Sequence, residues 1–562
     1  MKVVIVGGVA GGASAAARLR RLNENADITI FERTGFISYA NCGLPYYIGD
    51  VIKEEQDLTL QTPQSFFNRF KINVKIKHEV IDIDVKNKCV KAIDLTSQNV
   101  IYEQYDKLIL SPGAKPKIPS FFEENPRIFT LRTVEDTFKI KTYINTYKPK
   151  NATIIGGGFI GVEMAENLKE LDMNVNIIQS NKHLLKILDS DMASFVHSAM
   201  KEKNVNIYLG KRVSKIDISN DELTTVLSDG CRIKSDIIIC AVGVEPDSKL
   251  AKLAGLELGI NGSIKVNSHM QTSNPDIYAV GDAVSVLNFV TKEESLISLA
   301  GPANKQGRIA ADNICGIPSY YKGSQGSSII KVFNLDVAVT GITERECIER
   351  KINYEKVILT PASHATYYPG AKVLTLKLIY NRDNLEILGA QIVGYAGVDK
   401  RIDVIATAIR ARMKATELKD LDLAYAPPYS SAKDPVNMAG FIIDNIENGI
   451  VKQFDYDEIE ELRNRDDVIL LDTRTKYEFQ KGHASGFINI PLDSLRDRLN
   501  ELDKNKAIYV MCQSGLRSYI ATRILTQHGY NSYNFIGGYR LYSSITNDKK
   551  LTEETYTCGI DK

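Results

Sequence analysis

The stretch "SYANCGLPYY", residues 38 to 47, carries a single cysteine, Cys42, with no second cysteine close by. A neighbouring pair would store electrons as an internal disulfide. A lone thiol needs a partner sulfur from elsewhere, and to attack it the thiol needs a lowered pKa and open access. Far along the chain, Cys512 opens a loop, C-Q-S-G-L-R, that ends in Arg517 and runs into a helix-forming stretch. Backbone N–H groups of such a loop point at the sulfur and stabilise a thiolate or a persulfide. Phosphatase cradles hold one more residue between cysteine and arginine than the four present here, so the spacing favours sulfur transfer over phosphate chemistry.

Two glycine loops supply a different chemistry. Gly156, Gly158 and Gly161 complete a GxGxxG motif. The first glycine permits the tight turn, the second admits a pyrophosphate, and the third lets helix and strand pack closely. Near the start, "GGVAGG" supplies Gly7 and Gly12, with Val9 in the middle position. Glu32, twenty residues past Gly12, stands where a carboxylate accepts adenosine ribose hydroxyls. In the second motif that place is taken by Gln179, followed by Lys182. Gln179 neither repels a phosphate nor grips a diol strongly, and Lys182 could offer a charge, so the loop does not choose between a plain and a phosphorylated ribose.

These loops need strands and helices to hold them. "KVVIVGG", "ASAAARLRRL" and "DITIFER" read as strand, helix and strand, and "NATIIGGG", "FIGVEMAENLKEL" and "NVNIIQ" repeat the order over 151–179. From about 325 alternating strands and a helix, "DKRIDVIATAIRARM", predict an α+β module, and beyond a boundary near 450 "VILLDTR" opens a further α/β unit. A chain of 562 residues needs several cores. The net charge of +1 gives no reason to expect nucleic acid or a membrane surface as partner, and no apolar run is long enough to span a bilayer. "MKVVIVGG" enters strand and turn at once, which argues against a signal peptide. Eight scattered cysteines make neither a disulfide framework nor a zinc site, so no metal is expected and a reducing cytoplasm is the default. Cys89, Cys231, Cys240, Cys315 and Cys347 read as structural thiols and Cys558 as an idle one.

Longer motifs carry a resemblance. "TSNPDIYAVGDAV" (272–284) resembles the second flavin fingerprint of the two-dinucleotide-fold flavoprotein reductases, and "LILSPGAKP" (108–116) and "IICAVGVEPDS" (238–248) look like their two crossover segments. The resemblance implies FAD in the first fold, with Asp282 on its ribityl chain, and a nicotinamide in the second. It implies an α/β architecture: an FAD-binding domain over 1–118 and 248–322, an NAD(P)-binding domain over 119–247, an α+β dimerization domain over 323–445 and a last domain over 452–562. The chain lacks the CxxxxC pair of the glutathione-reductase type and the loop histidine of single-cysteine peroxidases. It resembles the coenzyme A disulfide reductases over residues 1 to 440, through "SYANCGLPYY", "HATYYPGA" (364–371), "GVDKRIDV" (397–404) and "AYAPPYSSAKDPVN" (424–437).

That resemblance implies coenzyme A as the thiol partner of Cys42, and a homodimer whose active site is shared across the interface. Tyr367 and Tyr425 of the partner subunit would help the leaving thiolate, although the sequence does not choose between Tyr367 and its neighbour Tyr368. Ser14, Arg21, Ser38, Asn41 and Lys433 fall at coenzyme A contact positions. Arg18 and Asn304 replace other residues there, and Phe70 occupies a basic position beside Lys71. Arg18 and Arg21, three apart, would share a helix face and grip phosphates.

Residues 455 to 545 resemble a rhodanese domain, an α/β unit with Cys512 and Arg517 at its centre. The combination implies an NAD(P)H-dependent flavoprotein reducing coenzyme A persulfide, polysulfide or coenzyme A disulfide through a Cys42–S–S–CoA mixed disulfide, with Cys512 handling sulfane sulfur from inorganic sulfur species. The alternatives are a single-cysteine NADH oxidase or peroxidase, a sulfurtransferase that the reductase half resets, and a redox sensor without turnover.

Overall fold

The run Val3–Val6 is apolar throughout, and Val3, Val4 and Ile5 are fully buried, which demands cover on both faces. The computed structural model, which describes residues 1–122, 124–219 and 222–554, supplies it. Lys2–Val6 is the middle strand of a five-stranded parallel sheet, with Asp27–Glu32 and Asn73–Ile76 on one side and Lys107–Leu110 and Ile277–Ala279 on the other. Helix α1 (Ala10–Leu22) makes the crossover to Asp27–Glu32. The strand order reverses beside Lys2–Val6, so the crevice for a ligand opens past its carboxyl end.

The second glycine motif repeats this plan. Asn151–Ile155 is the middle strand of another five-stranded parallel sheet, between Asn174–Gln179 and Ile237–Cys240, and helix α2 (Phe159–Glu170) makes its crossover. In both folds glycine is required. A Cβ on Gly12 would lie 1.9 Å from the Gly7 carbonyl oxygen, and one on Gly161 would lie 1.9 Å from that of Gly156. A Cβ on Gly158 meets nothing within 4 Å.

The chain forms two compact units, residues 1–181 with 204–326, and residues 182–203 with 327–562. The second contains a five-stranded antiparallel sheet, Ser328–Val332, Leu335–Gly341, Ile387–Gly394, Leu374–Asn381 and Tyr354–Leu359 in spatial order, covered by the helix Val398–Ala411. It also contains a five-stranded parallel sheet centred on Ala507–Met511, flanked by helices α4 (Leu516–Gln527) and α5 (Gly538–Glu554). The expected mixture of α/β and α+β modules is present.

Helix α3 (Ser190–Glu202) lies inside the stretch read as part of the NAD(P)-binding domain, yet it clusters with the second unit. Polar contacts draw it there. Ser194 Oγ lies 2.7 Å from Ser544 Oγ on α5, and His197 Nδ1 lies 2.9 Å from the Asp548 carboxylate. Lys377, fully buried in the antiparallel sheet, reaches Asp189 at 3.0 Å, Asp191 at 2.8 Å and Glu344 at 2.7 Å.

Candidate functional site

Helices α1 and α2 begin at Val9 and Gly158, and neither has a side-chain cap or an acid in its first turn. Their leading amides therefore remain available, and with the open space at Gly158 both loops fit a dinucleotide pyrophosphate. The side chains at the ends of the second strands play matching parts. The Glu32 carboxylate accepts from the Gly8 amide at 2.8 Å and from the Thr34 amide and hydroxyl at 2.9 Å each. Gln179 Oε1 accepts from the Gly157 amide at 3.2 Å. Each thus ties its glycine loop to its strand, and Glu32 is only 5% exposed. Asp282 is engaged by Arg132 at 2.8 Å, a partner that sequence reasoning missed.

Cys42 is exposed and sits in the short 3-10 turn Asn41–Gly43, which leads into the helix Leu44–Ile48 with Pro45 at its start. Its thiol pKa lies above the ordinary value. Partial desolvation contributes most, then the charges of Glu163 and Asp282, while Arg132 acts the other way. Glu163, on α2, is itself pushed up to about 7 by burial and by Glu166. Among these groups Arg132 alone acts toward the expected lowering, and desolvation with the two carboxylates outweighs it.

A cavity of about 370 Å³ opens beside Ser38. Ser14, Arg18, Arg21, Ser38 and Asn304 all line it, five residues from distant parts of the sequence. The Ser14 hydroxyl hydrogen-bonds Asn304 Oδ1, and Ser38 holds a left-handed backbone, φ 46°. Arg18 Nε donates to Asp312 at 2.7 Å, so its grip is shared with a carboxylate and Arg21 is the freer of the pair. Asn41 stands next to Cys42 and not on the cavity wall, and Lys433 lies in the second unit. Lys71 also fails to line the cavity. It takes a left-handed conformation at the end of the helix Pro63–Phe70, and its Nζ lies 5.0 Å from the Phe67 ring centroid. Arg69 and Arg308 line the wall instead.

In the second unit the hydroxyls of Tyr367 and Tyr425 are 2.7 Å apart, and the side chains are 74% and 45% exposed. Tyr368 packs edge-on against His364, so the geometry pairs Tyr425 with Tyr367. Cys512 has no exposed surface; its Sγ accepts from the Gly515 amide at 3.1 Å and from the Ser518 hydroxyl at 3.3 Å. Tyr539 N donates to the Cys512 carbonyl at 2.7 Å, fastening the loop from behind. Arg517 donates from Nη1 and Nη2 to the two oxygens of Glu478, both at 2.7 Å, and that contact holds the Glu478 pKa down at about 2.

Three family models match the chain. The pyridine nucleotide-disulphide oxidoreductase model covers residues 1–307, its dimerisation domain covers 327–435, and the rhodanese-like domain covers 455–544. A coenzyme A disulfide reductase of Staphylococcus haemolyticus is 36% identical over 441 residues, which is 78% of this chain and 98% of that protein. The chain belongs to the coenzyme A disulfide reductase family. The crystal structure of reduced CoADR-RHD from Bacillus anthracis is similar over 97% of this chain and 98% of its own, with a TM-score of 0.94 and 47% identity. An NAD-dependent persulfide reductase from A. fulgidus is similar over 96% and 100%, with a TM-score of 0.91 and 36% identity.

FAD and NAD(P)H are the cofactors of the coenzyme A disulfide reductase family, and this member carries the rhodanese-like domain as well. Arg69, Arg308, Arg132 and Glu478 escaped sequence reasoning. Arg69 alone carried a signal, since Phe66, Arg69 and Phe70 recur at i, i+3 and i+4 and so share a helix face. Cys240 and Cys347 are free and buried, each thiol pushed up to about 12 chiefly by burial. Cys231 is buried, and Cys558 lies outside the described residues. Among the described residues no cluster of three His, Cys, Asp or Glu side chains could hold a metal, and no helix is long and apolar enough to cross a membrane.

Proposed function

We propose that this chain reduces coenzyme A persulfide, polysulfide or coenzyme A disulfide, with Cys42 as nucleophile. The observation that carries this reading is one cysteine without a protein partner near a cavity lined by Ser14, Arg18, Arg21, Ser38, Asn304, Arg69 and Arg308. Four arginines suit a ligand rich in phosphate, and two serines and an asparagine can meet its hydroxyl and amide groups. Asn41 flanks the reacting sulfur, and Lys433 is proposed as a further coenzyme A contact.

The Cys42 thiolate attacks the coenzyme A sulfur of a disulfide or a persulfide. The old sulfur–sulfur bond breaks, coenzyme A thiolate or hydrosulfide leaves, and a Cys42–S–S–CoA mixed disulfide forms. When bound, NAD(P)H and FAD would supply the electron pair that returns the mixed disulfide to the Cys42 and coenzyme A thiolates. Gly7, Gly12, Glu32 and Asp282 would hold FAD; Gly156, Gly158, Gly161 and Gln179 would hold the nicotinamide cofactor. Tyr367 and Tyr425 of the partner subunit donate protons to the leaving thiolate in a homodimer whose site spans the interface. The Cys512 thiolate, cradled by the Gly515 amide and Ser518 with Arg517 at the end of the loop, attacks the outer sulfur of a sulfane donor and releases the donor's remaining anion. The coenzyme A thiolate then takes that sulfur from the Cys512 persulfide and restores the Cys512 thiolate. A reducing compartment such as the cytoplasm keeps both cysteines as thiols. The domain limits given above remain our proposal, with residues 182–203 of the NAD(P)-binding stretch clustering with the second unit.

Mass spectrometry of the purified protein before and after reduction tests the reading. FAD should be bound, and reductant should release coenzyme A in amounts equal to Cys42, with none released from Cys42→Ser. Peroxide turnover without coenzyme A would replace the reading with the oxidase or peroxidase. The cradle at Cys512 supports a second activity: Cys512→Ser should still reduce coenzyme A disulfide but lose sulfane donors. Unchanged turnover of those donors would remove Cys512 from the pathway.

A further inference from the structure

The second unit contains a cavity of about 230 Å³ that no step above uses. It opens between α3, α5 and the antiparallel sheet, where Leu335, Val393 and Tyr395 supply the sheet side. On α5, Arg540, Ser543, Ser544 and Asn547 recur at i, i+3, i+4 and i+7, so one face of that helix turns toward it.

Arg540 is satisfied unlike the other interior cations of the unit. Lys377 meets three carboxylates, Arg401 meets Asp434 and Arg474 meets Asp472. The Arg540 guanidinium instead lies 5.7 Å from the centre of the Phe195 ring, and its Nε is buried without a hydrogen-bond partner. Burial lowers its pKa, and the group that opposes this is Tyr395, not a carboxylate. Glu202, the single carboxylate on the wall, is exposed and forms no ion pair with it. A buried donor without a partner is costly and arginine stays protonated, so an anion is the species that satisfies both the Nε and the charge. Three hydroxyls are already committed: Ser543 donates to the Arg540 carbonyl at 3.1 Å, Ser198 to that of Ser194 at 3.0 Å, and Ser544 to the Ser194 hydroxyl oxygen at 2.7 Å. The donors left at the wall are Arg540, the Asn547 amide and the Tyr395 hydroxyl.

We propose that this cavity binds a small tetrahedral oxyanion, held side-on by the Arg540 guanidinium with Asn547 and Tyr395 completing the shell. The guanidinium edge matches two oxygens of such an ion in a bidentate contact. The site sits directly behind the sulfur-handling loop, because the Arg540 amide donates to the Gln513 carbonyl at 3.2 Å, one residue after the bond from Tyr539 to Cys512.

Calorimetric titration of the full-length protein with sodium sulfate, against sodium chloride at equal ionic strength, tests the site. One sulfate should bind per chain, and Arg540→Gln should weaken it about tenfold, the effect of losing one charge-assisted contact. Ser198→Phe fills the cavity without altering the guanidinium and should abolish binding while the circular dichroism spectrum stays unchanged. A crystal soaked in selenate should show anomalous density within hydrogen-bond distance of Arg540. Sulfate binding that is absent in the parent protein, or equal in both variants, overturns the proposal, as does selenate density elsewhere. An equally strong response to acetate overturns the choice of a tetrahedral ion.

Discussion

After desolvation, Glu163 is the group that most raises the Cys42 pKa, and its own pKa is about 7. As pH rises through that value Glu163 gains its charge and makes the neighbouring thiolate harder to form. Glu163→Gln removes the charge, so alkylation of Cys42 by iodoacetamide at pH 8 should quicken by about 3- to 10-fold, a shift of roughly half to one pKa unit. A rate equal to the parent's would show that the carboxylate does not act on the sulfur. Arg69 and Arg308 make a second case. Each should raise the KM for coenzyme A persulfide by about 3- to 10-fold when changed to alanine, since both are exposed and screened, whereas Lys71→Ala should change it less than about 2-fold. Steady-state kinetics decide between them, and a dominant effect of Lys71 would return the contact to that residue.

At the scale of elements, the glycine loops separate fold from binding. Gly161→Ala forces a Cβ into the Gly156 carbonyl, so it should disrupt the contact of α2 with its sheet and lower the yield of folded protein. Gly158→Ala meets open space; it should fold and retain FAD while weakening NAD(P)H binding by about 10-fold or more, measured by fluorescence titration. The buried ionic group around Lys377 governs the second unit in a similar way. Lys377→Met would strand Asp189 and Asp191 and should cost about 3–5 kcal/mol by urea unfolding, followed by hydrogen exchange of the strand Leu374–Asn381. The folded pKa values of Asp189 and Glu344 are lowered, so their stabilisation is present above the unfolded value near 4 and disappears as pH falls through the folded values. The penalty of the variant should therefore shrink in acid. These cases mark what was legible beforehand. Glycine spacing, the Cys512 loop and the strand–helix–strand repeats are local, and each is readable within a few residues. The pairing of Arg132 with Asp282, of Arg517 with Glu478 and of α3 with α5 depends on residues far apart in sequence. An amphipathic helix such as α3 has the same pattern whichever unit covers it. Lys71 is off the cavity wall because it is the left-handed residue that ends the helix Pro63–Phe70, a conformation that its sequence neighbours do not announce.

For the molecule as a whole, the dimerisation domain over 327–435 supports a homodimer, and the proposed reaction takes Cys42 from one chain and its tyrosines from the other. Tyr367 and Tyr425 are hydrogen-bonded to each other and exposed, as the proposed role across the interface requires. The arrangement is testable by mixing defects. In a heterodimer of one Cys42→Ser chain and one Tyr367→Phe/Tyr425→Phe chain, a shared site places both defects together in one active centre and leaves the other intact. Such a heterodimer should therefore show about half the parental kcat, although each parental homodimer is nearly inactive. If each chain used its own tyrosines, both centres would carry one defect and the heterodimer would be as inactive as its parents. Differentially tagged chains purified as the heterodimer separate these outcomes. The rhodanese-like domain adds a control: Cys512→Ser on either chain should leave coenzyme A disulfide turnover at the same half value, because that substrate reaches Cys42 already bearing its sulfur.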